Sequence, residues 1–167
     1  VGGKNAIGIL GLAYRTNAAG TALGAEFGTG AANQGRTTIL NKGKVNLDGE
    51  GATGIFTKNN NSSATRATAT ATNDAAGILT LSGNKSVGMS GEKAEIINRG
   101  TINVNGQEGT GMFAKSNSRI ENSGTFATNG DIKAVSSLVN SGTVDGKRID
   151  IAGADFVNSG KIDADNI

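Results

Sequence analysis

The chain has no Cys, His, Pro or Trp, and only one Tyr, five Phe and two Met among 167 residues. Each absence removes a class of mechanism. Without Cys there is no disulfide framework, no thiolate metal site and no thiol nucleophile. Without His the Ser-His-Asp and Cys-His devices are gone, with the usual neutral-pH proton shuttle and the commonest metal ligand. Without Pro, the 27 Gly do not make a collagen-like chain. An excess of one charge is also missing: 16 basic and 14 acidic residues are mixed along the chain, for a net charge of +2. No basic patch results, so no nucleic-acid partner is expected. No apolar run reaches about 18 residues, the length that marks a membrane-spanning helix. The start, Val1-Gly2-Gly3-Lys4, lacks a charged stretch followed by an apolar one, so no signal peptide is expected there. Leu, Ile, Val and Phe number 35, a thin supply for an ordinary globular core of this length.

What is abundant is Gly, with 19 Asn and 17 Thr, and these recur in phase. Asn-x-Gly-x-apolar appears at Asn41–Val45, Asn98–Ile102, Asn122–Phe126, Asn140–Val144 and Asn158–Ile162. Two residues before each Asn stands Ile39, Ile96, Ile120, Leu138 or Phe156. The Asn residues are spaced 57, 24, 18 and 18 apart. Taking 57 as three times 19 gives one unit of about 18–24 residues. A second pattern, small-x-Gly followed by Ile or Met, occurs at Ala6–Ile9, Ala52–Ile55, Ala75–Ile78, Ser86–Met89 and Gly109–Met112. Segments 41–60 and 98–117 share nine identities, among them Asn46/Asn103, Gly49/Gly106, Phe56/Phe113 and Lys58/Lys115. This is an internal duplication.

Within a unit, apolar residues alternate with polar ones, the period of a strand. Asn-x-Gly between alternating runs reads as strand, turn, strand. The best helical candidate, Gly91–Glu95, is short. One unit holds too few inward apolar residues to offset its own ordering, so units must stack on one another. The chain is therefore expected to be all-β: a right-handed parallel β-helix of roughly 18–24 residues per coil with lateral loops. Seven or eight coils at the strand spacing make a rod roughly 35 Å long. The candidate structural ladder is Asn41, Asn98, Asn122, Asn140 and Asn158, whose amides would hydrogen-bond from coil to coil. The competing reading is solvated turn chemistry.

The expected organisation is one segment over 1–167 with two interruptions. Region 11–35 loses the Asn-x-Gly phase and fits a lateral loop or an irregular coil. Region 58–74 has no large apolar residue and reads as an insertion projecting from the rod. Insertions in solenoids commonly carry binding, so Asn59, Asn60, Asn61, Arg66, Thr68, Thr70 and Thr72 form the candidate binding loop. A passive loop is the alternative.

Segments 96–104, 109–115 and 120–125 resemble the passenger repeats of large bacterial type V autotransporters, most like the long outer-membrane adhesins of fusobacteria. The resemblance is best over 39–60 and 74–167. It implies a right-handed β-helix, export to the outer membrane and exposure at the cell surface or secretion. It also implies adhesion to a host cell-surface protein or glycan, or to other bacterial cells. The family's translocation barrel and signal peptide do not match here, so the chain would be a passenger fragment. The motif is shared with filamentous-haemagglutinin-like proteins, and no family binding motif maps onto these residues.

β-Helices also host polysaccharide lyases and glycosidases, which need paired carboxylates, often with a metal or basic groups. Asp145 and Asp163 occupy equivalent repeat positions and would face outward on adjacent coils. They read more simply as solvated charges, and no Gly-Gly-x-Gly-x-Asp calcium repeat occurs. No cofactor, metal or catalytic residue is expected. The expected function is a non-catalytic adhesin segment. The alternatives are a carbohydrate-active enzyme and a structural spacer within a longer adhesin.

Overall fold

The computed structural model describes residues 3–13, 15–16, 22–23, 33–34, 37–59, 69–115, 117–128, 131–134, 137–151 and 155–166. Among them there is no helix. The chain winds through three faces, and a complete coil lays a stretch of strand on each. The first face stacks β5 (Thr37–Asn41), β8 (Ala69–Asn73), β11 (Glu95–Asn98), β14 (Arg119–Asn122), β17 (Ser137–Asn140) and β19 (Asp155–Asn158). The second stacks β6 (Lys44–Leu47), β9 (Ile78–Leu81), β12 (Thr101–Val104), β15 (Thr125–Thr128), the first half of β18 (Thr143–Ile151) and β20 (Lys161–Asn166). The third stacks β1 (Ile7–Ala13), β7 (Thr53–Asn59), β10 (Val87–Glu92), β13 (Thr110–Ala114), β16 (Asp131–Ala134) and the second half of β18. All of these pairings are parallel. This is a parallel β-helix.

Register turns the sequence pattern into a core. On the first face Ile39, Ala71, Ile96, Ile120, Leu138 and Phe156 form one inward column. On the second, Val45, Leu79, Ile102, Phe126, Val144 and Ile162 form another. On the third, Ile9, Ile55, Met89 and Met112 align. Most of these side chains are fully buried. Each coil thus needs only a few apolar residues, which explains their low number.

Gly holds the columns together by omission. In the third-face column Gly8, Gly54, Gly88 and Gly111, a Cβ would point at the opposing second-face side chains. At Gly111 it would strike the Phe126 ring. At the Asn corner, a Cβ on Gly100, Gly124, Gly142 or Gly160 would strike the carbonyl oxygen of the Gly one coil below. The corner between the second and third faces stacks Gly49, Gly83 and Gly106 in the same way and adds left-handed residues: Asn5 (φ 57°), Lys85 (φ 59°) and Glu108 (φ 55°), with Gly51 (φ 68°) in the same place.

Several expectations are corrected. The 57-residue gap is not three units. It is two, of 32 and 25 residues, with Asn73 between, so the described residues hold six Asn corners, and β1 belongs to a further coil before the first of them. Ala75-Ala76-Gly77-Ile78 does not belong with the other Gly-Ile/Met segments. Gly77 takes the Asn-corner Gly position: Ile78 N–H donates to Gly43 O and Thr101 N–H to Gly77 O, both at 2.9 Å. Gly91–Glu95 is not helical. Gly91 and Glu92 end β10, Lys93 turns the corner at φ 51°, and Glu95 begins β11. The expected insertion 58–74 does not hold at its ends: Lys58 and Asn59 close β7, and Ala69–Asn73 are β8, while 60–68 lie outside the described residues. Small Ala71 suffices in the inward column, so the lack of large apolar residues misled. Within 11–35, residues 11–13 belong to β1. β2 (Arg15–Thr16) pairs antiparallel with β3 (Ala22–Leu23) and β4 (Asn33–Gln34), a small sheet outside the coil pattern.

Among the described residues, Thr57 Oγ1 is the buried side-chain polar atom without a hydrogen-bond partner. It stands between Gly11 and Gly91 in the third-face register. A buried hydroxyl without a partner costs free energy that an isosteric methyl does not. Thr57→Val is therefore expected to raise stability by about 1 kcal/mol. A urea midpoint that falls instead would contradict this packing.

Candidate functional site

The Asn corner is built by the first-to-second-face turn. Inward Ile or Leu two residues earlier fixes the strand phase, so the Asn side chain also points inward. Asn73, Asn98, Asn122 and Asn140 are wholly buried. Their amides form one chain of hydrogen bonds. Asn41 Nδ2 donates to Asn73 Oδ1 at 2.8 Å and Asn73 to Asn98 at 2.9 Å. Asn98 donates to Asn122, Asn122 to Asn140 and Asn140 to Asn158, each at 2.8 Å. The second Nδ2 proton goes to backbone: Asn98, for example, reaches Gly100 O and Thr125 O, each at 3.3 Å. A buried primary amide thus meets its donors and acceptors on every coil.

All five ladder residues expected from the sequence are in place. The sixth, Asn73, was missed because its Gly comes four residues later, not two. Asp74 N–H still donates to Asn41 O at 2.9 Å, and Gly77 N–H closes the longer turn on Asp74 O at 2.7 Å. The usable signal was the alternation of Ala71, Asn73 and the Leu79-x-Leu81 run that follows.

The candidate binding loop fares differently. Asn59 is buried at the end of β7. Thr70 and Thr72 lie in β8, paired with Glu95 and Ile97 of the next coil. Thr72 is only 8% exposed between Leu40 and Ile97, so it is part of the packed wall. Asn60, Asn61, Arg66 and Thr68 lie outside the described residues. Asp145 and Asp163 pair in register as expected, both exposed, with Lys161 Nζ 3.7 Å from Asp163. Among the described residues no three acidic side chains converge as a metal site would require.

One ionic cluster stands out on the third face. Lys58 Nζ lies 2.9 Å from Glu92 Oε1. The Lys58 hydrogen bond, above all, holds the Glu92 carboxyl below its ordinary range; burial opposes it, and the charges of Lys58, Lys115 and Lys93 add to the lowering. Sequence duplication had shown Lys58 and Lys115 as equivalents, but not that a carboxylate from the coil between would pair with Lys58.

Residues 3–135, well over half of the chain, match the sequence family described as the BigA third pectate lyase-like domain. No curated protein and no solved structure matches the chain.

Asn122→Ala removes two ladder bonds and strands the amides of Asn98 and Asn140, and is expected to cost about 1–3 kcal/mol in urea unfolding. Asn122→Asp is expected to cost more at neutral pH, because it buries a charge facing an acceptor column. An Asp variant as stable as wild type would count against the ladder. For Glu92 the folded pKa is depressed, so its contribution is present above the unfolded value of about 4.3 and is lost as pH falls through the lower folded value. Glu92→Gln should therefore flatten the loss of stability between about pH 5 and pH 3, measured by thermal melts. An unchanged slope would refute the pairing.

Proposed function

The chain belongs to the family of the BigA third pectate lyase-like domain, and on that premise we propose that it is a non-catalytic, surface-exposed segment of a bacterial adhesin. One observation carries this reading beyond the family. The interior is filled from coil to coil by apolar columns and the Asn ladder, which leaves the chain's variety of side chains for the outer faces. Such a rod sets binding groups at fixed spacing away from a surface. Its partner is a host cell-surface protein or glycan, or another bacterial cell. Export by a type V autotransporter route to the outer membrane, in an organism akin to fusobacteria, accords with the repeat resemblance.

The word pectate lyase in the family's description favours a second reading, a polysaccharide-cleaving enzyme. Against it stand the missing His and Cys and the solvated, outward setting of Asp145 and Asp163. A third reading makes the rod a spacer alone.

Purified chain, labelled and applied to epithelial cells and to co-resident bacteria, is expected to bind saturably to at least one. Absence of saturable binding would favour the spacer. Release of unsaturated sugars from polygalacturonate would overturn the non-catalytic reading.

A further inference from the structure

The outer surface of the third face carries a motif that the rod itself does not need. Gly54-Ile55-Phe56-Thr57-Lys58 and Gly111-Met112-Phe113-Ala114-Lys115 repeat the same order. Ile55 and Met112 point inward and are fully buried, while Phe56 and Phe113 are partly buried on the outer side. In the coil between, Ser90 pairs with both Phe residues. It is only 7% exposed, so the register sets Phe56 and Phe113 on either side of a small buried residue, an aromatic platform spanning three coils. The chain has five Phe, and placing two in matching outward positions is a costly use of apolar surface.

Charge marks the same strip. Register puts Glu92 opposite Lys58 and one residue beyond the Gly91–Ala114 pair, toward Lys115, and the charges of Lys58, Lys115 and Lys93 all favour its ionised carboxylate. Lys58 is paired with Glu92. Lys115 is exposed and forms no ion pair with a described residue. The strip thus has an excess of positive charge beside its aromatic platform.

We propose that this strip docks an anionic polysaccharide whose acidic sugar recurs at alternate residues. The proposal rests on the adhesin reading and names a ligand class for it. Phe56 and Phe113 lie two strand spacings apart, roughly 10 Å, close to the length of two sugar rings in an extended chain. A site that repeats every second coil calls for a ligand that repeats likewise, which a polysaccharide does and a folded protein surface does not. The aromatic faces receive the apolar C–H faces of the rings. The Lys ammoniums meet the carboxylates as charge-assisted hydrogen bonds.

The test uses hyaluronan oligosaccharides, which carry a carboxylate on every second sugar, as a fluorescent probe. Carboxyl-reduced hyaluronan and neutral dextran are the comparators. The variants borrow residues that other coils already carry in these columns: Phe113→Ser copies Ser90, and Lys115→Glu copies Glu92. Both variants are expected to stay folded, with Phe113→Ser melting a few degrees lower because it removes partly buried aromatic surface. Hyaluronan should bind wild type in a salt-sensitive way, dextran and the reduced polymer should not, and each variant should weaken binding about tenfold or more. Four results would overturn the strip: no hyaluronan binding, equal binding of dextran, loss with Lys115→Glu but not with Phe113→Ser, or tighter binding of polyglutamate with the same dependence. Cell binding that survives the double variant would also overturn it while leaving the adhesin reading intact.

Discussion

Everything in this structure depends on one spacing. Parallel strands lie about 4.8 Å apart, and every side chain must fit on its own copy one coil away. A coil alone has no second layer to cover it, so its stability comes from its neighbours. Apolar side chains meet that demand on three faces. The corners are harder, because a turn exposes backbone and tolerates little bulk. Here Asn and Gly divide the work. Asn supplies an amide whose donor and acceptor point along the rod in opposite directions, so that each coil bonds both neighbours. Gly supplies nothing, and so lets the next carbonyl approach.

That division makes the chain's odd composition consistent. Few large apolar residues are needed when each closes a column with its equivalents above and below. Many Gly are needed because two corners and one inward column have no room for a methyl group. The buried Asn residues are polar yet cost little, since each amide is satisfied. The unpaired Thr57 hydroxyl shows how uncommon the opposite case is among the described residues.

The interior was legible in the sequence because stacking forces identity at fixed phase. Ile96, Ile120 and Leu138 two residues before Asn, and Gly two residues after it, declare the first corner on their own. Legibility failed where a coil kept the geometry but changed its spelling. Ala71 replaced a large residue, and Ala75-Ala76 lengthened the turn, so Asn73 looked like part of a loop. The coil of 32 residues then hid inside an arithmetic multiple. The outer faces were less legible still. Register across coils, not spacing along the chain, decides that Glu92 meets Lys58 and that Ser90 sits between Phe56 and Phe113. Function in a solenoid lives on those cross-coil rows, and a single row draws on residues far apart in the chain.

The central claim is that side-chain amides bind coil to coil through the core. Hydrogen exchange of the Asn carboxamide protons, followed by NMR, tests it without altering the chain. The Nδ2 protons of Asn73, Asn98, Asn122 and Asn140 should exchange as slowly as the backbone amides of β11 and β14, and open with them in one cooperative event. Rapid exchange of these four, at the rate of a free Asn side chain while the strands stay protected, would contradict the ladder.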